Sequence, residues 1–448
     1  MTERTGSPCS SSTRYVWYVV FLLTVVNLVN YMDRMALAVL APLIKAELAL
    51  SDSQLGVLSG FAFAIFYAVC GIPIARWADR AIRRNIIALA VATWSVMTAL
   101  CGAAPHFWQL LLARVGVGAG EAGSFPPGSS LLCDYVPLNR RSGIFAITSS
   151  GIYAGLMIGM VVAGWIGEAI GWRWAFGVLG ASGLLLALIV RMTLQEPPRG
   201  RSDDVNTVGA VAPLRQTFRD LLYSRTYRRL VLSLIATGFV QYGLNQWWPS
   251  FFAREFGLTL SNLGLYLGMA IGGGSAVGLL VSGLLADKLA IRDVRWPLMI
   301  GAAASLLAMP AAIGSLFTRS VEVSMVFVAL SAIFWSSSTG PALASIYSVT
   351  APHMRATAGA LYIFLMSVFG LGLGPFAVGV LSDLLAPALG VQSLRYALLL
   401  PVGFLPVMAV TLYGAATALP SDLQRSSPPV SSESKLHNTA RTGRAASL

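Results

Sequence analysis

The sequence predicts an all-α membrane protein whose twelve transmembrane helices form two pseudo-symmetric six-helix bundles. Three observations predict it. The 448 residues are 56% hydrophobic and only 11% charged, whereas soluble domains carry about 25% charged residues. Apolar runs of membrane-spanning length recur along the chain. A charged motif also appears twice, once in each half of that series.

A helix needs roughly 20 mostly apolar residues to cross the hydrocarbon core. Twelve segments fit, at about 15–41, 53–77, 85–104, 107–135, 140–165, 173–193, 229–252, 261–286, 296–317, 323–350, 355–382 and 394–417. The first follows Arg14, as a signal peptide would follow its basic residues. It is too long for one, and eleven more segments follow, so it is read as an uncleaved span. Residues 194–228 are the least apolar internal stretch. The expected organisation is a cytoplasmic N-terminal segment (1–14), a first bundle (15–193), a cytoplasmic linker (194–228), a second bundle (229–417) and a disordered tail (418–448). The tail is rich in Ser, Pro and Arg with few large apolar residues, a composition that cannot build a core.

The net charge of +12 reports topology, not nucleic-acid binding. Arg80, Arg83 and Arg84, then Arg140 and Arg141, then Arg199, Arg201, Arg215, Arg219, Arg225, Arg228 and Arg229 all fall in connections on one side. Lys288, Arg292, Arg295 and Arg355 continue that side. The opposite loops are short and mixed, pairing Lys45 with Glu47, Glu168 with Arg173, Arg254 with Glu255 and Arg319 with Glu322. The positive-inside rule then places both termini in the cytoplasm, with the protein in the inner or plasma membrane. The four cysteines, Cys9, Cys70, Cys101 and Cys133, have no metal-type spacing, and His106, His353 and His437 stand apart. No metal site, cofactor site or nucleophile with a base is predicted, so an enzyme is not expected.

The halves repeat. Ala75-Arg76-Trp77-Ala78-Asp79-Arg80 leads to Arg83 and Arg84, and Gly283-Leu284-Leu285-Ala286-Asp287-Lys288 leads to Arg292. Pro137-Leu138-Asn139-Arg140 and Pro352-His353-Met354-Arg355 precede the fifth and eleventh helices. This pattern resembles the major facilitator superfamily over nearly all of the chain. Ala75 and Ile82 replace the family's two glycines in the first copy, and Ala290 replaces the second glycine in the other. The resemblance implies the major facilitator fold, with a site between the halves. It also implies an inner gate of Asp79, Arg80, Arg83, Arg84, Asp287 and Lys288. A narrower set comprises Asn30-Tyr31-Met32-Asp33-Arg34, Leu55 to Phe63, Gly71 to Arg76, and Gly118-Ala119-Gly120-Glu121-Ala122-Gly123. Together these resemble the spinster-like branch, whose animal members transport lysolipids and sphingosine phosphate. Asn-Tyr-x-Asp-Arg also resembles the anion:cation symporter branch.

Asp33 and Arg34 follow eighteen uncharged residues after Arg14, which puts them well into the membrane. Intramembrane charges are costly and face a cavity or a partner. They read either as a switchable pair on the pathway or as a static packing pair. Arg114 and Glu121 are seven residues apart on the fourth helix, nearly two turns, so they share a face about 10 Å apart. For Arg114, structural and functional readings stand level. Gly118, Gly120 and Gly123 mimic a dinucleotide loop, but Phe107 to Val115 before them continue a helix where that loop needs a strand. Pro126 and Pro127 are expected to distort the inner part of this helix.

The spinster resemblance implies that Asp33, Arg34 and Glu121 are coupled residues near the site. A carboxylate in a low-dielectric cavity holds a proton more readily, and a nearby arginine opposes this. An anionic head group on Arg34 would free a carboxylate to take a proton. Cavity candidates are Asn30, Phe61, Tyr153, Gln241, Tyr242, Asn245, Trp335 and Tyr362. Gly151, Gly155 and Gly159 on the fifth helix form a narrow face for close packing. The superfamily's antiporter proline is absent there, with Met160 in its place.

The expected function is secondary active transport of an amphiphilic lipid, lysophospholipid or sphingoid in type, by alternating access and with protons as coupling ion. The alternative is a proton-coupled carrier of small organic anions. Membrane lipids and the cargo are the expected partners, with the protein acting as a monomer.

Overall fold

The computed structural model describes residues 13–137, 140–198, 219, 221, 223–350 and 354–426. Most of the expected linker, the tail beyond 426, Cys9, Arg199, Arg201, Arg215, His353 and His437 lie outside the described residues.

The first half contains α1 (Thr13–Leu48), α2 (Asp52–Ala78), α3 (Arg83–Ala103), α4 in two pieces (Phe107–Glu121 and Phe125–Tyr135), α5 (Arg141–Ile170) and α6 (Trp172–Thr193). The second contains α7 (Arg225–Phe256), α8 (Leu260–Ala290), α9 (Trp296–Phe317) and α10 in two pieces (Val321–Ser336 and Thr339–Val349). There α11 runs through Arg355–Leu365, Met366–Gly372 and Leu373–Leu389, and α12 through Ser393–Ala397, Leu399–Val402 and Phe404–Ser426. The described residues contain no strand.

By length and apolarity, 9 described helices can cross a membrane. Three of the rods above do not count separately for physical reasons. The turn after Glu121 leaves both pieces of α4 short. Polar and basic residues, among them Arg228, Arg229, Gln241, Asn245 and Gln246, dilute α7. The ends of α11 and α12 join into one long helical stretch.

Local chemistry sets the ends. Ser51 and Gln54 form a reciprocal capping box at the start of α2, satisfying amide groups that the helix leaves open. Ser224 accepts from the Tyr227 amide and starts α7 before the expected residue 229. Gly257, at φ 62°, ends that helix in the left-handed region that glycine enters without strain. The last helix continues to Ser426 instead of stopping at 417. The reason is Asp422, a buried carboxylate that accepts from the Thr226 amide and the Ser224 hydroxyl at 2.9 Å each. It thereby caps α7 across the bundle.

Within each half the pairing repeats. α1 packs on α5 and α7 on α11; α3 packs on α6 and α9 on α12. Gly151, Gly155 and Gly159 do form a close-packing face, and its partner is α1 at Thr24, Leu28 and Met32. Between halves α1 meets α7, and the two most extensive seams are α2 with α11 and α5 with α8. Three of these four seam helices contain wide π turns, at Val57–Phe61, Gly268–Gly273 and Met366–Gly372. Such turns locally break the regular hydrogen-bond ladder and often mark functional positions.

Candidate functional site

Arg34 does not pair with its neighbour Asp33. Its guanidinium reaches across to α4 and holds Glu121 Oε2 at 2.7 Å from both Nε and Nη2. The two residues are 8% and 0% exposed. Adjacent positions point about 100° apart on a helix, so Asp33 faces α3 instead, where Thr98 donates to it at 2.9 Å. Both carboxylates keep one oxygen, Glu121 Oε1 and Asp33 Oδ1, without a hydrogen-bond partner among the described residues. The Asn30 amide nitrogen is also buried without one.

Aromatic rings surround this pair. Arg34 lies 4.8 Å from the Tyr31 and Phe63 ring centres and 5.2 Å from that of Tyr67. Arg114 approaches Phe63 at 5.4 Å and donates to the Leu58 carbonyl at 3.4 Å. Phe63 therefore bridges two cations whose attraction to its π face helps hold them in a dry setting. From the second half, Tyr242 lies beside Tyr31 and Arg34. Tyr153 and Tyr362 lie within electrostatic reach of Tyr31, and the Tyr362 hydroxyl donates to Met366 Sδ at 3.0 Å.

Phe61 is half-exposed against Phe376 at the α2–α11 seam, with ring centres 5.7 Å apart. Asn245 and Trp335 are buried, each with a polar atom unpartnered among the described residues, and Gln241 is half-buried. No hydrogen bond or ring contact described above ties these three to Arg34.

The expected inner gate divides. Asp79, Arg80, Asp287 and Lys288 are exposed. Arg83 is buried and works within its own half, pairing with Asp134 at 2.5 Å and Glu196 at 2.7 Å and donating to Ser130 at 3.1 Å. The Arg84 amide donates to the second Glu196 oxygen at 3.0 Å. Together they fasten the start of α3 to the ends of α4 and α6.

Polar contacts between halves gather at the other end. Asp52 at the start of α2 accepts from Arg254 of α7 at 2.8 and 2.5 Å, from Ser382 of α11 at 2.7 Å and from Lys45 of α1 at 2.5 Å. Asp383 of α11 accepts from the Asp52 and Ser53 amides at 3.0 and 2.7 Å and from the Ser53 hydroxyl at 2.5 Å. At the second seam, Glu168 accepts from the Ser261 amide at 2.7 Å. Sequence reasoning passed over this cluster. Its signal was present in Gly379-Val380-Leu381-Ser382-Asp383, which repeats the G-x-x-x-D spacing at the opposite end. Tyr31 and Tyr67 were also missed as ring partners, although Tyr67 follows Phe63 by one helical turn.

Known proteins share this framework. Residues 23–375 match the Major Facilitator Superfamily. An MFS-type efflux pump of Mycolicibacterium smegmatis is 36% identical over 409 residues, 90% of this chain and 93% of the relative. The D-galactonate transporter of Escherichia coli O6:H1 is 28% identical over 396 residues, 83% of this chain and 89% of the relative. The crystal structure of a bacterial homologue of the human lysosomal transporter Spinster, inward-facing and unoccupied, superposes with TM-score 0.82 at 30% identity. That match covers 92% of this chain and 99% of the other.

Proposed function

The chain belongs to the Major Facilitator Superfamily as a spinster-like membrane transporter, and on that premise we propose that it carries an organic anion whose acid group takes Arg34 over from Glu121. The observation that carries the reading is the buried Arg34–Glu121 bond, in which Glu121 keeps one oxygen unpartnered among the described residues. A proton on Glu121 removes its charge and with it the ion–ion attraction that holds Arg34. An anion then finds an arginine already oriented by three rings. Proton and cargo thus favour the same change at one site, and their differential affinity for two states is what moves a carrier between them.

The contacts of Asp52, Asp383 and Glu168 close one end, and the exposed Asp79, Arg80, Asp287 and Lys288 mark the other. We assign the basic end to the cytoplasm of the inner membrane, which makes this an inward-facing arrangement. One chain supplies residues from both halves to the tyrosine cluster, as a monomeric carrier requires.

A second reading keeps the same chemistry with a larger cargo. The likeness to the spinster homologue favours an anionic lysophospholipid or sphingoid compound, and the likeness to the D-galactonate transporter favours a small acid. Uptake into liposomes separates them, using anionic lysolipids and short carboxylates with and without an inward proton gradient. Gradient-stimulated uptake that Arg34→Ala abolishes is expected for one class. Uptake of neutral or cationic compounds alone would overturn the proposal.

A further inference from the structure

Asp52 takes its partners from both halves. Arg254 of α7 and Ser382 of α11 belong to the second half, and Lys45 of α1 belongs to the first, like Asp52 itself. We infer that Lys45 is the partner Asp52 keeps when this end opens, a positioning residue that favours the open state although it bonds within the closed one. This rests on the reading above that the halves part at this end.

Local chain geometry ties Lys45 to Asp52 without the second half. The Lys45 carbonyl accepts the Leu50 amide at 3.1 Å. Ala49 takes the left-handed φ of 50°, the backbone turn on which many helices end. Ser51 then opens α2 through its capping box with Gln54. One hydrogen-bonded turn thus links the end of α1 to the start of α2, and the Lys45 ammonium meets Asp52 Oδ1 across it at 2.5 Å. None of these bonds involves α7 or α11.

In the closed arrangement the Lys45 bond is the redundant one. Arg254 holds both Asp52 oxygens, and Ser382 donates to Oδ2. Lys45 Nζ and Arg254 Nη2 meet on the same oxygen, Oδ1, so two positive charges converge there and repel. Asp383, the other carboxylate of the cluster, spends its oxygens on the Asp52 and Ser53 amides and the Ser53 hydroxyl.

Opening reverses the balance. Arg254 and Ser382 leave with the second half, and of the side chains that hold Asp52 only Lys45 stays. The repulsion leaves with Arg254. A bond that is redundant in one state and sole in the other shifts the equilibrium toward the second. The Lys45 side chain is 33% exposed, so replacing it leaves no hole in the core.

The test measures distances between spin labels across this end, in the full chain in liposomes. Asp383→Asn, which loosens the closed end, supplies a background with an open population large enough to fall. Adding Lys45→Gln should lower that population by about two- to fivefold, the size of one exposed ion pair, and Lys45→Arg in its place should restore it. A packing or folding defect would move the population the other way, by loosening the closed end. An open population that rises or stays level with Lys45→Gln overturns the role of Lys45 while leaving the closed end as read. If Asp383→Asn alone leaves the distances unchanged, the halves do not part here, and the inference falls with that reading.

Discussion

Asp383 of α11 caps the first turn of α2 in the opposite half, accepting the Ser53 amide at 2.7 Å and the Ser53 hydroxyl at 2.5 Å. A carboxylate at a helix start meets open amide groups and the positive end of the helix dipole. The bond crosses the α2–α11 seam, so it exists only while this end is closed. Asp383→Asn should weaken the closed end by about 1–3 kcal/mol, shifting its open population roughly 5- to 150-fold. Distances between spin labels placed across this end measure that population. No change in their distribution would remove the latch role from Asp383.

Glu121→Gln should abolish the dependence of uptake on a proton gradient while leaving cargo exchange across the membrane. The variant keeps the shape but cannot gain or lose a proton. Gradient-driven accumulation equal to wild type would show that Glu121 is not the essential proton carrier.

Phe63→Leu should lower affinity for cargo and reduce thermal stability in detergent. Its ring faces both Arg34 and Arg114, and cation–π contacts contribute about 0.5–2 kcal/mol each. Phe63→Tyr should preserve both properties if the π face is the cause.

Arg83→Ala should cost stability more than any other change in the basic loops, about 1–3 kcal/mol, because it removes charged hydrogen bonds to one buried and one half-buried carboxylate. Asp134 and Glu196 are the carboxylates affected. A thermal shift no larger than that of Arg80→Ala, an exposed control in the same loop, would contradict this.

Asp422→Ala removes the cap on α7 and should cost about 1 kcal/mol. Thermal unfolding in detergent reads it directly, and Asp422→Asn should recover part of the loss.

The bundles were legible because lipid imposes long apolar segments, and because basic residues mark one side of them. The site was legible in part, since Asp33, Arg34, Arg114 and Glu121 are conspicuous charges inside such segments. Their pairing was not. Which residue Arg34 meets depends on helix rotation, and the motif places Asp33 nearest in sequence while the fold places Glu121 nearest in space. The Asp52 cluster stayed hidden for a similar reason. Asp52, Arg254 and Asp383 are far apart in the chain and each reads as an ordinary helix-end charge. Phe61 stands at the α2–α11 seam, at the end of the π turn Val57–Phe61, a placement that sequence spacing does not reveal.

The buried charges at the site also sum to something useful. Asp33, Arg34, Arg114 and Glu121 are two of each sign, and all are at least nine-tenths buried. The empty site is then neutral when all four are ionised. Adding one proton with one monovalent anion leaves the sum at zero. Moving a net charge through a membrane potential involves about 2.3 kcal/mol per 100 mV, and a neutral site escapes that work in either direction. On the proposed coupling of one proton to one monovalent anion, uptake should follow the chemical gradients and change little with the voltage across the membrane.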